Sequence, residues 1–307
     1  MLSNATSLTD EMKNEIINFD TERHREARPP KEAYFYFPTD FEKIEYDPKH
    51  KTKTLRRIFE VKESYNEFET QKINEFYNDF DKNCQKVLKK EWVIPSFKQS
   101  DLLRFIQATG FDCHKTLRLV HDHVEWKRGF FPITMTNNSM EILNSGFMYV
   151  HGRDYIYRPI IVLNADYYIK YKDKYPYEDW LKAVIFMMDY IINNLLLPGQ
   201  VENWNIICDL GKVSLLSMPS DMKKFMSVLQ SNFRCRLFVV WVIGMGGFLR
   251  MLYNMIKGFL DHTTQRKIRF LKKNTYDDIF TLVNPSQVEQ RFGGTAKNIL
   301  LFSPNNA

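Results

Sequence analysis

GGFLRMLYNMIKGFLD, residues 246–261, carries the strongest fold signal in the chain. It follows the apolar run LFVVWVI, residues 237–243, which is short, rich in β-branched residues and typical of a buried strand. After the glycines, large apolar residues recur at helical spacing: Phe248, Met251, Leu252, Met255, Ile256, Phe259 and Leu260. The opposite stripe is polar: Arg250, Asn254, Lys257 and Asp261. The pattern predicts a buried strand followed by an amphipathic helix of about 22 Å.

The apolar stripe of this helix has two interpretations. It either packs permanently on a core, which is the commoner role of such stripes, or it forms a movable lid over a lipid cavity. The adjoining segment FLDHTTQRKIRFL, residues 259–271, resembles the sequence that follows the gate helix of CRAL-TRIO lipid-binding domains. That family has Phe-Leu-Asp-Pro-x-Thr-x-x-Lys-Ile. The matching residues are Phe259, Leu260, Asp261, Thr264, Lys267 and Ile268, and His262 replaces the proline. We call residues 246–261 the gate segment.

Four further segments resemble the same family, in the same order. Residues 96–130 follow its helical N-terminal pattern through Leu102, Leu103, Arg104, Phe105, Ala108, Phe111, Asp112, Trp126 and Arg128, with Gln107 and Thr109 in place of two arginines. The next segments are residues 152–168, where Tyr157 replaces a glycine, then DLGKVSL (209–215) and VNPSQVEQRFGG (283–294). The family's Tyr-Pro-Glu motif is absent, and Asn232, Phe233 and Arg234 occupy its position. The resemblance spans residues 96–294.

The resemblance and the alternation of strands with helices predict an α/β fold. We expect a CRAL-TRIO-like mixed β-sheet between Tyr155 and Phe270, flanked by helices, with a gate helix and a preceding helical N-terminal lobe. The expected helices cover 178–196, 220–231 and 247–260. The expected divisions are a polar arm (1–52), the helical lobe (53–135) and the lipid-binding domain (136–307).

Local patterns add detail to the first half of the chain. Residues 53–90 show an approximate helical period and predict one long helix. Two helices are expected to meet at Gly110, with Asp112 capping the second. The aromatic cluster at residues 34–41, YFYFPTDF, would be an exposed patch in water, so we expect it to lie on this protein or on a partner.

The candidate binding residues follow from the alternation of the strand and the stripe of the helix. One side of the strand faces the cavity, and we assign Val240 and Val242 to it. The predicted lipid-binding set is Val240, Val242, Phe248, Met251, Leu252, Met255, Ile256 and Phe259. Arg250 and Lys257 are predicted to contact the membrane. The resemblance implies that Thr264 and Lys267 bind a headgroup, and we add Arg234, at the position of the family glutamate, and Arg104.

Composition bounds the class of function. The net charge of +6 fits an anionic membrane surface, nucleic acid or merely a solvated surface, and we expect no nucleic-acid partner. The four cysteines form no CxxC pair, which is typical of reduced thiols in the cytoplasm. The N-terminus lacks a secretory pattern, and the longest charge-free apolar window, residues 237–249, is shorter than a membrane span.

The sequence contains no GxSxG elbow and no phosphate-binding glycine loop, and no His or Cys cluster has metal spacing, so we expect neither catalysis nor a cofactor. The predicted function is binding, and transfer between membranes, of a phospholipid or another small hydrophobic molecule by a cytoplasmic, peripheral membrane protein. Whether that lipid is a phosphoinositide stays open. The alternative is a structural or adaptor protein that docks partners through the helix predicted at 53–90 and the N-terminal arm.

Overall fold

The computed structural model describes residues 28–46, 54–211, 221–244, 251, 253–254 and 257–299 of the chain. The first of these residues form a short 3-10 helix, Lys31–Phe35, followed by α1 (Asp40–Lys43). A two-stranded antiparallel ribbon comes next, with β1 at Ile44–Tyr46 and β2 at Thr54–Arg56. The boundary predicted between arm and lobe, at residues 52 and 53, falls between the two paired strands of this ribbon.

The prediction of one helix over residues 53–90 is wrong. The helical residues are divided into α2 (Glu67–Asn78), α3 (Phe80–Asn83) and a π turn (Cys84–Leu88). Residues 54–56 belong to β2, and the buried guanidinium of Arg56 donates to both carboxylate oxygens of Glu69 at 2.7 and 2.6 Å. Asn66 then starts α2 through a capping box, in which Asn66 and Glu69 each accept a hydrogen bond from the other's backbone N–H.

The helical lobe is completed by the two helices that the sequence predicted. They are α4 (Gln99–Ala108) and α5 (Cys113–Phe130). Gly110 lies between them with a φ of +67°, and the Asp112 carboxylate accepts a hydrogen bond from Lys115 N at 3.0 Å. The apolar faces of α2, α4 and α5 pack together around buried Phe59, Ile73, Phe76, Leu102, Leu103, Leu117 and Val120.

A five-stranded sheet forms the centre of the second half of the chain. A helix, α6 (Asn137–Asn144), precedes it. The strands are β3 (Met148–Arg153), β4 (Pro159–Asn164), β5 (Trp204–Asp209), β6 (Leu237–Gly244) and β7 (Ile268–Lys272). Their spatial order is β3-β4-β5-β6-β7, with β3 antiparallel to β4 and the other neighbours parallel. The prediction of a mixed sheet is confirmed, although the sheet begins at Met148 rather than after Tyr155.

Helices cover the first face of the sheet. They are α6, α7 (Ala165–Tyr171), α8 (Tyr177–Tyr190) with a π turn at Ile191–Leu195, and α9 (Met222–Asn232). The ring of Trp180, fully buried, packs edge-on against Phe147 and Tyr168 with centroid distances of 5.0 and 4.7 Å. Burying a side chain of this size stabilises the fold by roughly 1.5–3 kcal/mol, and this contact joins α8 to α7 and to the residue that precedes β3.

The second face of the sheet packs on the C-terminal segment. The strand residues of this face include Ile160, Val162, Ile207, Val239, Trp241 and Ile243. The segment follows β7 and contains α11 (Asp277–Phe280), whereas α10 (His262–Gln265) precedes β7. Trp241 connects the layers, because its indole N–H donates to Asp278 at 2.7 Å. Among the described residues, no helix has both the length and the apolar character needed to cross a bilayer.

The residues between β3 and β4 form a turn. The turn lies at residues 155–156, and Tyr157, which replaces the family glycine, has a φ of +66°. This left-handed conformation is unfavourable for tyrosine, and the Tyr36 ring packs edge-on against Tyr157 at 5.5 Å. The arm is therefore packed against the turn that leads into the sheet.

Candidate functional site

An apolar patch occupies the part of the first sheet face formed by β5, β6 and β7. Val242 is buried there, and Cys208 lies beside it in the register of β5 and β6. Val240, Ile268 and Phe270 complete the patch as partly buried residues. Because side chains alternate along a strand, these residues point away from the C-terminal segment that covers the second face.

The gate segment reaches this patch. Residues 251, 253 and 254 are helical, and the Tyr253 ring packs edge-on against Phe270 with a centroid distance of 5.6 Å. Met251, predicted to line the pocket, has half of its surface exposed. Lys257, predicted to face a membrane, is exposed and donates to Asn254 Oδ1 at 3.1 Å.

Most other predicted members of the gate fall outside the part of the chain that the structure describes. Phe248, Arg250, Leu252, Met255 and Ile256 lie outside the described residues, and Phe259 is described by its backbone alone. Val240 and Val242, predicted from strand alternation, both lie on the patch described above. The helix expected over 247–260 likewise falls mostly outside the described residues.

A second feature adjoins the patch at the amino ends of the parallel strands. A cavity of about 380 Å³ is lined there by Thr264, Lys267 and Arg234, three of the four predicted headgroup residues. Ile206 also lines it, and Ile206 is the register neighbour of Val240 in the patch. The cavity and the patch therefore form one continuous surface, polar at one end and apolar at the other.

Lys267 is the central cation of this cavity. Its ammonium donates to Leu237 O at 2.6 Å. Burial lowers the pKa of Lys267 to about 8, and the nearby Arg57 guanidinium acts in the same direction. Lys267 is thus less stably charged than an ordinary lysine, and an anion beside it would restore the charged form.

Asp261 occupies part of the space between the other two headgroup residues. Its carboxylate accepts from Thr264 N at 2.8 Å and from the Thr264 hydroxyl at 2.9 Å. Arg234 Nη1 lies 4.0 Å from the same carboxylate, and burial lowers the pKa of Arg234. The arginine that replaces the family glutamate therefore points toward the cavity, with a carboxylate that partly offsets it.

Arg104 lies apart from the other predicted headgroup residues. It is buried and ion-paired with Glu202, on the wall of a separate cavity between the helical lobe and the sheet. Glu202 also accepts from Phe59 N at 2.9 Å and Glu60 N at 2.8 Å, and the Arg104 guanidinium lies 4.2 Å from the Phe59 ring centre. Burial acts to raise the pKa of Glu202, yet Arg104, Arg236 and these N–H donors hold it below its usual value. Arg104, on α4 of the helical lobe, therefore acts as a structural link to Glu202, which lies just before β5 of the sheet.

Sequence reasoning missed several residues of this surface. Cys208, Ile268 and Phe270 extend the patch, and the alternation in IRFLK (268–272) was a signal for the last two. Arg57, next to the ribbon, also lines the cavity, but nothing in the neighbouring sequence indicates that it lies close to Thr264 and Lys267. The described residues contain no group of three or more His, Cys, Asp and Glu side chains placed to hold a metal ion. The arrangement is suited to binding an amphipathic molecule.

Comparison with known proteins agrees with this geometry. A family model described as the CRAL/TRIO domain matches residues 143–294. Clavesin-1 from Xenopus laevis is 25% identical over 206 residues, and Clavesin-1 from Rattus norvegicus is 26% identical over 206 residues. Each alignment covers 63% of this chain, and 60% and 56% of those proteins respectively. The matched part of the chain thus spans less than two thirds of the length of these relatives.

Clavesin-2 from Homo sapiens is 25% identical over 203 residues, covering 63% of this chain and 61% of that protein. Among solved structures, the crystal structure of Sfh5 superposes with a TM-score of 0.57 at 14% identity. That superposition covers 78% of this chain and 90% of the other. At this identity the likeness establishes the fold, including a mixed sheet flanked by helices.

Proposed function

This chain belongs to the CRAL-TRIO family, and on that premise we propose that it binds a phospholipid or another small hydrophobic molecule under the gate segment and transfers it between membranes. The observation that carries the proposal is the apolar patch of Val240, Val242 and Phe270, against which Tyr253 of the gate segment packs. Acyl chains lie on this patch, and the polar group enters the adjoining cavity. The protein acts as a carrier and not as an enzyme.

The energetics place the opening of the gate at a membrane. Exposing each large apolar side chain of the gate segment to water costs roughly 1.5–3 kcal/mol. For the seven residues of the stripe the total is roughly 10–20 kcal/mol, which is comparable to the 5–15 kcal/mol that typically stabilises a whole domain. A bilayer replaces the lost apolar contacts, and the exposed Lys257 meets anionic headgroups at about 1 kcal/mol. The protein is therefore a peripheral membrane protein with a transient contact.

Phosphatidylinositol is the headgroup class that best fits the cavity. Lys267 and Arg234 supply positive charge, and the Thr264 hydroxyl becomes a donor to phosphate once it leaves Asp261. A volume of about 380 Å³ is ample for a sugar-sized headgroup. Arg104 has no part in this binding, because its charge is already used by Glu202.

The test is lipid extraction followed by native mass spectrometry. Protein purified without detergent is incubated with mixed phosphatidylinositol and phosphatidylcholine vesicles and re-isolated. We expect one lipid per protein in the wild type and none in Cys208→Trp, whose ring fills the patch. Val240→Trp, on the neighbouring strand, serves as a second blocking variant, and circular dichroism checks that both fold. A lipid-free wild type, or equal loading of folded blocked variants, would contradict the proposal.

An adaptor role is the second candidate, and one observation favours it. Phe35, Phe37 and Phe41 project from the arm with 79%, 79% and 82% of their surfaces exposed. Exposed aromatic rings at this density are typical of contact surfaces. An adaptor would extract no lipid, would bind one protein stoichiometrically, and would lose that partner in Phe35→Ser/Phe37→Ser. Lipid extraction that persists in this double variant favours the carrier.

A further inference from the structure

We call the cavity lined by Thr264, Lys267 and Arg234 the headgroup cavity, and the N-terminal ribbon forms one of its walls. Leu55, Arg56 and Arg57 line the cavity opposite Thr264 and Lys267. The ribbon lies outside residues 96–294, over which the sequence resembles the family. A wall from outside the family pattern can change which headgroup the cavity accepts.

Arg56, the last residue of β2, and Arg57, which follows it, differ in their available hydrogen-bonding capacity. The Arg56 guanidinium is fully engaged by Glu69, by Ser64 and by the carbonyl of Ile58 at 3.1 Å. Arg57 has one carboxylate partner, Glu45, which pairs with its Nη2. Its Nε is buried with no hydrogen-bond partner among the described residues. Arg57 therefore retains donors that a ligand could use after a modest side-chain shift.

The position of Arg57 depends on a residue that departs from the family pattern. The family has an arginine where this chain has Gln107. The Gln107 amide bonds to both main-chain groups of Arg56, accepting from N at 2.7 Å and donating to O at 3.1 Å. The substitution that removes one arginine from the lobe thus fixes the ribbon that delivers another arginine to the cavity.

Positive charge accumulates in this cavity beyond what its carboxylates offset. Arg57 and Lys267 are close enough for Arg57 to depress the pKa of Lys267, in addition to the effect of burial. Arg234 adds a third cation, while Asp261 and Glu45 are the acidic neighbours. Glu45 also lies 3.8 Å from Arg266, so its charge is shared. Cations held together in a partly desolvated cavity favour an anionic ligand.

We propose that Arg57 is a phosphate-binding residue of the headgroup cavity and that it selects anionic over zwitterionic headgroups. A guanidinium binds phosphate through two parallel N–H donors. Glu45 neutralises Arg57 while the cavity is empty, and the phosphate takes its place. This inference rests on the proposed lipid binding and adds a residue from outside the family domain.

The first test measures the ratio of phosphatidylinositol to phosphatidylcholine extracted from vesicles that contain both lipids equally. We expect Arg57→Gln to lower this ratio about tenfold, because a charge-assisted hydrogen bond is lost. Arg266→Gln is the matched control, since Arg266 lies near the same Glu45 and is not among the cavity residues. An unchanged ratio in folded Arg57→Gln, or an equal fall in the control, would overturn the inference.

Two further variants cover the case in which Arg57→Gln fails to fold. Arg57→Lys keeps the charge without the paired donors, and we expect an intermediate ratio. Glu45→Gln leaves Arg57 untouched and removes its competing carboxylate, so the ratio should rise several-fold. The Glu45 side chain is 40% exposed, which makes this substitution well tolerated. A ratio unchanged or lowered in Glu45→Gln would count against the role of Arg57.

Inositol phosphate in solution distinguishes a lipid headgroup from free phosphate. If the headgroup enters the cavity, Arg57→Gln weakens both inositol phosphate binding and phosphatidylinositol extraction. Weaker inositol phosphate binding with unchanged extraction would overturn the assignment to lipid. If the wild type extracts neither lipid, the proposed function and this inference fall together. If it extracts phosphatidylinositol and Arg57→Gln keeps the wild-type ratio, only this inference falls.

Discussion

Gln107 pairs with the main chain of Arg56 as one strand pairs with another. The side-chain amide accepts from Arg56 N at 2.7 Å and donates to Arg56 O at 3.1 Å, across 51 residues of sequence. The same amide approaches Cys235 Sγ at 3.4 Å. A single side chain thus joins the ribbon, helix α4 and the residues just before β6 at the wall of the cavity that Lys267 lines.

We predict that Gln107→Ala destabilises the protein by about 1–3 kcal/mol, because it leaves two partly buried main-chain groups without partners. Urea unfolding followed by circular dichroism measures the effect. Gln200→Ala is the matched control, since Gln200 makes one exposed hydrogen bond, to Tyr34 O at 3.0 Å. The control should lose about 0.5 kcal/mol or less. Equal losses in the two variants would show that the Gln107 pairing does not hold the ribbon.

The ribbon also shows where sequence reasoning failed. Leu55, Ile58 and Phe59 fit a helical period by coincidence, and the strand partner of residues 54–56 lies ten residues earlier, beyond any local pattern. The capping box of Asn66 and Glu69 was a readable sign that the helix begins later. The structure of residues 54–56 is determined by their pairing with β1, and such a pairing cannot be deduced from the spacing of apolar residues alone.

The sheet and the helices around it were more predictable. The run Leu237–Ile243 became β6 with one added residue, because a short β-branched run between glycine and polar residues has few alternatives. Val240 and Val242 were assigned to one face by alternation, and both lie on the apolar patch. Arg104 was placed with the headgroup residues, but its partner Glu202 is 98 residues away, and such a pairing is invisible in one sequence.

Arg104 is predicted to support the fold and not the headgroup. Arg104→Leu leaves the fully buried Glu202 carboxylate without its cation, so we expect a loss of about 3–5 kcal/mol in unfolding free energy. The ratio of phosphatidylinositol to phosphatidylcholine extracted by the folded fraction should stay at the wild-type value. A changed ratio with little loss of stability would place Arg104 in the headgroup site after all.

Headgroup selection should depend on pH through Lys267. Its folded pKa of about 8 lies below the value near 10.4 of an unfolded lysine, so the unfolded chain binds more protons in this window and stability rises from pH 8 to about pH 10. Phosphatidylinositol selectivity should instead fall as pH rises through 8, because the ammonium is lost. The charged or titratable groups around Lys267 are Arg56, Arg57, Arg234, Cys235, Asp261, His262, Glu45 and Arg266.

Lys267→Arg is the variant that isolates this effect, since arginine stays charged throughout. Extraction ratios measured at pH 7 and pH 9 should differ several-fold in the wild type and be equal in Lys267→Arg. A pH dependence that survives in Lys267→Arg would contradict the assignment of this titration to Lys267.

The thiol of Cys208 should report opening of the gate. Burial in the patch raises its pKa to about 12, with a further contribution from Asp209, so the reactive thiolate is scarce. We predict slow maleimide labelling of Cys208 in solution and labelling at least about tenfold faster with anionic vesicles. Peptide mass spectrometry locates the label, and Cys113, on α5 of the helical lobe, is the internal control. Labelling unchanged by vesicles would argue against a gate that opens at membranes.

Photo-crosslinking tests the site of lipid binding most directly. The protein is loaded with a phospholipid that carries a diazirine midway along one acyl chain, illuminated, and mapped by peptide mass spectrometry. The proposed site predicts crosslinks in β6 and β7, at residues 237–244 and 268–272, together with the gate segment. Crosslinks confined to the exposed rings of residues 34–41, with β6 and β7 unmodified, would contradict a lipid held between the sheet and the gate.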